Sequence, residues 1–181
     1  LPDGTRNSLR FMRLKDKLGN RSNASAELEF DSTMAWIVGE EGRGVPTIID
    51  MVHATRLDVA NWGVSLMRQA VTQAGWHVAN RDAFGATLID KPLMQNVLAD
   101  LEIEVEAATL MITRLSGAHE RMEVDEHERA FARLATPIAK YWLTKQSNPV
   151  VREALECVGG NGYVEDSIMP RLYREAPLNA I

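Results

Sequence analysis

The chain has 181 residues, 45% of them hydrophobic and 25% charged, with a formal net charge of −5. That much apolar material fills one substantial core, which excludes a mini-protein or a disordered tail, and no run of about eighteen apolar residues exists to span a membrane. The acidic balance argues against a DNA-coating surface, although twenty Lys and Arg remain available to cluster locally.

The N-terminus, Leu1-Pro2-Asp3-Gly4-Thr5-Arg6, has neither an apolar signal core nor an initiator Met, and reads as the start of a fragment. From Leu1 to about Val38 the pattern is strand-like. Leu9, Phe11 and Arg13 alternate with Arg10, Met12 and Leu14, and Ala24 to Phe30 alternates in the same way, with Gly19-Asn20 as a turn between them. Two to four strands do not make a self-sufficient sheet, so residues 1–40 read as the end of a β domain.

Gly42-Arg43-Gly44 ends that pattern, and Pro46 stands where a first helical turn tolerates it. Val45, Ile48, Ile49, Val52, Val59, Ala60, Val64, Met67, Ala70 and Val71 then recur at three- and four-residue steps, predicting one long amphipathic helix from about Val45 to Ala79. Arg81 to Gly85 breaks it, with Gly85 as the stop. Pro92 opens a second helix that ends near Gly117, and a third runs from about Asp125 to Lys145. A shorter fourth spans Pro149 to Cys157, and Asp166 to Tyr173 adds a last turn or two. The fold class is therefore mostly α, an antiparallel bundle of four to five helices over residues 41–181, preceded by a few β-strands. The single cysteine, Cys157, allows no internal disulfide and no Cys-based zinc cage, which fits a reducing, cytoplasmic compartment.

Few residue clusters carry chemistry on their own. The four histidines lack the spacing of a metal helix, Glu102, Glu104 and Glu106 read as a solvated face, and Ser65 lacks the second glycine of a nucleophile elbow. Gly159-Gly160-Asn161-Gly162 follows a helix with no strand before it, so it is either a helix-end turn or a backbone lying close to a ligand. Arg81, at a helix end beside Phe84-Gly85, is either a surface cation or carboxylate partner, or a donor fork for a phosphate with an aromatic ring next to it. Arg56, in the first helix, is either a surface cation or a ligand contact.

The order of motifs says more than any one of them. Leu18-Gly19-Asn20-Arg21-Ser22, Glu27-Leu28-Glu29-Phe30, Glu40-Glu41-Gly42-Arg43-Gly44, Arg81-x-x-Phe84-Gly85, Val158-Gly159-Gly160-Asn161-Gly162-Tyr163 and Arg171-Leu172-Tyr173-Arg174-Glu175, in this series, resemble the acyl-CoA dehydrogenase family. Arg21 to Ser25, Pro92-Leu93-Met94 and Leu172 to Asn179 look most like its alkylation-response (AidB-type) branch. The resemblance implies that residues 1–40 end the family's middle β domain and that residues 41–181 form most of its C-terminal bundle.

It also implies FAD bound partly across a subunit interface, hence a homodimer or homotetramer, and an acyl-CoA substrate oxidised at the α,β carbons. Arg81 and Phe84 match the family's contacts to a neighbouring subunit's flavin nucleotide, and Glu156, Gly159 and Gly160 match positions at its adenine-nucleotide half. Arg56 matches an arginine on the substrate side. This chain departs from the family at Glu156, where glutamine is common, at Ala83, where a hydrogen-bonding residue is common, and at Pro92. Thr55 stands where some members keep the catalytic glutamate and cannot abstract a proton, while most members carry that glutamate a few residues after the position of Ile181. No catalytic base is therefore expected within the chain. The competing expectation is a DNA-alkylation-response flavoprotein that protects DNA. Near Arg114 to Arg129, however, the cations interleave with acids, so any DNA surface belongs to the full-length protein.

Overall fold

Two strands and one long helix occupy the first eighty residues of the computed structural model, which describes residues 1–181. Contacts divide the chain into two units, Leu1–Met51 and Val52–Ile181.

In the first unit, β1 (Leu9–Leu14) pairs antiparallel with β2 (Ala26–Phe30), from Leu9 opposite Phe30 to Leu14 opposite Ala26, with an irregularity between Phe11 and Arg13. Asn20 turns the chain between them at φ 51°, a left-handed conformation that Asn tolerates. Arg10 pairs with Asp31 and Arg13 with Glu27 across the ribbon. The strand-like reading of residues 1–38 thus narrows to two strands. The stretch after Phe30 is tied down instead by Asn7, whose side-chain amide exchanges hydrogen bonds with the Met34 backbone.

The helix α1 runs unbroken from Gly44 to Asn80. Its buried face begins only at Ala60 and continues through Gly63, Val64, Met67, Ala70, Val71, Ala74 and Val78, at steps of one, three and four. The apolar residues Val45, Ile48 and Ile49 belong to the same periodic pattern but are exposed. After Asn80 the chain makes a tight hairpin where the sequence predicted a plain stop. β3 (Asp82–Ala83) pairs with β4 (Ala86–Thr87) around Phe84 and Gly85, both at positive φ, 54° and 78°. Two left-handed central residues are what the twist of a two-residue hairpin demands.

Pro92 opens α2 (Pro92–Arg121), and α3 spans Glu126–Val158 with Asp125 as its cap, accepting from the backbone N–H of His127 and Glu128. The expected third and fourth helices are one. Pro149 removes a backbone donor and should end a helix locally. Here Ser147 and Asn148 both donate to the Thr144 carbonyl just before it, and Ser147, Val150, Val151 and Ala154 are buried on either side. Tertiary packing overrides the proline. The last helix, α4 (Met169–Asn179), is longer than the turn or two expected.

Cross-helix contacts give the helix directions. His53 near the start of α1 stacks on His119 near the end of α2, so these two are antiparallel. A methyl group added at Gly63 would meet the Leu143 carbonyl of α3 at 3.4 Å, and residues at the C-terminal ends of α1 and α3 line one cleft, so those two run parallel. The C-terminal carbonyl of α4's strand of chain, at Ile181, accepts from Lys140 Nζ at 2.8 Å, which brings α4 back along α3. The result is a mostly helical, four-helix bundle around one core of Met67, Leu98, Leu101, Ile112, Leu115, Leu143 and Val151 with their neighbours. No helix is long and apolar enough to cross a membrane.

Candidate functional site

The C-terminal ends of α1 and α3 share one pole of the bundle, where Gln73, Trp76 and His77 face Val158, Asn161, Asp166 and Met169 across a cleft of about 380 Å³. Two of the sequence's candidate groups sit at this pole. Arg81 follows the last residue of α1. Its backbone carbonyl accepts from Leu88 at 2.9 Å, which anchors the hairpin, while its exposed guanidinium makes no ion pair or hydrogen bond within the chain.

Phe84 stands at the hairpin tip, 91% exposed and in the left-handed region. A bulky residue held at positive φ is strained, and leaving its ring in water forfeits apolar burial, so burial of the ring does not offset that strain. The turn is nevertheless held firmly. Lys91 Nζ donates to the Phe84 carbonyl at 2.9 Å, and Thr87 donates to Asp82 at 2.8 Å.

At the end of α3, Glu156 is exposed and accepts from Arg152 at 2.9 Å. The glycines that follow have three different reasons to be glycine. Gly159 ends α3 at φ 65°. Gly162 is pressed against its own helix, since a Cβ there would lie 2.5 Å from the Leu155 carbonyl and 3.2 Å from the Val158 side chain. Gly160 has neither excuse, because its φ is ordinary and no atom lies within 4 Å of where its Cβ would be. Open space beside an exposed glycine backbone is room for a ligand from outside the chain.

Arg56 is not part of this pole. It lies twenty-five residues before Arg81 on an unbroken helix, roughly 37 Å away along the axis at about 1.5 Å per residue. It too is exposed and without an ion-pair or hydrogen-bond partner. Thr55 beside it donates its hydroxyl to the Val52 carbonyl at 3.0 Å. One copy of the chain therefore presents two separated cationic stations.

The structure also assembles a polar seam that no sequence spacing announced. His119 Nε2 lies 2.8 Å from Thr136 Oγ1, and Thr136 spends its own proton on the Ala132 carbonyl at 2.6 Å, so the imidazole is the donor. Burial, reinforced by the neighbouring His53, pushes the His119 pKa down. The buried Nε2 of His53 has no partner. Nearby, Arg114 grips Glu128 with two bonds of 2.8 and 3.0 Å and lies 4.3 Å from the Phe131 ring centroid. That grip holds the Glu128 carboxyl below its usual range. No three His, Cys, Asp or Glu side chains converge as metal ligands. Cys157 is buried, with its thiol pushed up to about 11 by that burial, so it is a poor nucleophile.

Known proteins resemble the chain as a whole. The family model for the C-terminal domain of acyl-CoA dehydrogenases matches residues 42–181. The putative acyl-CoA dehydrogenase AidB of Escherichia coli K12 is 47% identical over the whole chain, which covers 33% of that protein. The crystal structure of Caenorhabditis elegans ACDH-11 in complex with C11-CoA superposes with a TM-score of 0.92 at 34% identity, covering 99% of this chain and 31% of that one. An acyl-CoA dehydrogenase from Geobacillus kaustophilus gives a TM-score of 0.84 at 26% identity, covering 96% of this chain and 44% of that one. The chain thus spans about a third of the length of the first two.

Proposed function

The chain belongs to the acyl-CoA dehydrogenase family, and from that premise we propose that its bundle is the flavin-nucleotide and substrate wall of an FAD-dependent oxidoreductase acting on an acyl-CoA thioester. The observation that carries this reading is the unpaired Arg81 guanidinium beside the strained, bare Phe84, on a braced hairpin at the pole that also carries Gly160. A free donor fork suits a pyrophosphate, an exposed ring suits a planar partner, and an open glycine backbone accepts close approach.

The residues fit the nucleotide half of FAD. Arg81 and Phe84 would hold it from the hairpin, and Glu156, Gly159 and Gly160 from the end of α3. When bound, the flavin supplies the hydride acceptor for dehydrogenation at the α,β carbons. Arg56, about 37 Å away, belongs on the substrate side and cannot serve the same flavin end within one copy. A homodimer or homotetramer, in which one copy's Arg81 pole completes another copy's flavin site, reconciles the two stations.

Exposed Ile103, Leu110, Leu134, Ile138 and Trp142 on α2 and α3 supply apolar surface for such an assembly. None of residues 1–181 is assigned as the catalytic base, since Thr55 lacks the acidity and its hydroxyl is engaged. Residues 1–40 would close the middle β domain, and residues 41–181 form the bundle domain. At the α2–α3 turn Arg114 and Arg121 pair with Glu128, and Arg129 donates to the Met122 carbonyl, so part of their charge is spent within the chain and is not gathered into a basic stripe. The test is flavin content: R81A in the full-length protein is expected to lower FAD affinity about tenfold or more, by loss of a charge-assisted fork. Unchanged flavin binding would refute the site.

A further inference from the structure

The nucleotide pole carries an acid where an acid is least welcome. Glu156 lies in the last turn of α3, a turn with no basic residue, where the unsatisfied carbonyls already make the helix end electronegative. A carboxylate there opposes the helix dipole and would also repel a phosphate, whereas a glutamine would do neither.

The structure shows what offsets it. Arg152, one turn earlier on the same face, donates Nε–H to Glu156 Oε1 at 2.9 Å. The two side chains are 69% and 50% exposed. An ion pair this open to solvent adds little to folding stability, so fold maintenance does not account for it. Its geometry leaves chemistry unspent: the Arg152 side chain uses only its Nε–H, so its four terminal N–H groups remain, and Glu156 keeps its second oxygen.

We propose that Arg152 is a positioning residue of the flavin-nucleotide site, neutralising Glu156 and fixing its carboxylate so that the pair stands where a neutral amide otherwise would, with the free carboxylate oxygen accepting a hydroxyl of the nucleotide sugar. This rests on the flavin site proposed above. The arginine turns a repulsive acid into a usable acceptor, and the pair as a whole brings no net charge to the phosphates.

The role predicts a pattern of rescue that a merely structural residue would not show. In the full-length protein, R152M exposes an uncompensated carboxylate and is expected to raise the FAD dissociation constant about tenfold, measured by flavin fluorescence titration. Added salt should recover part of that loss by screening Glu156. E156Q removes the acid that the cation neutralises, so whatever E156Q itself costs, R152M in the E156Q background should bind FAD as E156Q alone does. An R152M affinity equal to the parent's, or an R152M loss as large in the E156Q background as in the parent, overturns the proposal. R81A and E156A separate the two levels. If both weaken FAD while R152M does not, the flavin site stands and Arg152 has no role in it. If neither weakens FAD, the site fails and the Arg152 role falls with it. Unchanged thermal melting of R152M is expected throughout.

Discussion

His53 and His119, sixty-six residues apart in sequence, stack with ring centroids 5.5 Å apart and an angle of 26° between planes, joining the start of α1 to the end of α2. His119 is in turn the donor to Thr136 of α3, so one imidazole ties three helices together.

This seam makes stability depend on pH. The His119 pKa is lowered in the folded state by burial and then by His53, so the unfolded chain binds its proton more readily. The contribution is fully present above the ordinary value of 6.5 and is lost as pH falls below it, until the folded imidazole protonates as well. Melting temperature followed by circular dichroism should fall between pH 7.5 and 5.5, and H119Q, which keeps a donor but cannot titrate, should show a shallower fall. Equal slopes for the two proteins would remove His119 as the cause.

Gly162 and Gly160 should respond oppositely to the same added methyl group. At Gly162 the new Cβ would meet the Leu155 carbonyl at 2.5 Å, so G162A is expected to destabilise by about 1–3 kcal/mol, the usual range for forced overpacking. At Gly160 the space is open, so G160A should melt like the parent and instead weaken flavin binding. Chemical denaturation and flavin titration of both variants check the contrast.

Arg56 and Arg81 should be separable by ligand. Because roughly 37 Å of helix divides them, R56M is expected to leave the flavin bound and to raise the KM for an acyl-CoA several-fold, whereas R81A should release flavin first. Loss of flavin from R56M would place Arg56 at the wrong station.

The fold was largely legible because its signals are local. The α1 pattern from Ala60 onward, Pro92 at the start of α2 and Asp125 before α3 all act within a turn or two of themselves. The failures are equally local in origin. Pro149 carries a strong breaking signal, and only the burial of Ser147, Val150 and Val151 against other helices keeps α3 whole. Gly85 read as a plain helix stop, and nothing in the local pattern announced a hairpin that also holds Phe84, a poor residue for positive φ, in the left-handed region. Among the candidate site residues, Arg81 and Phe84 could be named from motif order, but the Arg152 partner of Glu156 drew no notice, since an i,i+4 pair on a helix is ordinary until its surroundings are known.

By itself the sequence determined the helical periods, the caps and the succession of motifs that places the chain in its family. Each of these is written in residues close along the chain, where backbone preference and side-chain periodicity act directly. Only the tertiary structure decided that His53 meets His119, that Gly162 is a packing glycine while Gly160 faces open space, and that Arg56 and Arg81 stand at separate stations. Those are relations between surfaces, set by how rigid helices pack around a shared core, and no local pattern encodes them.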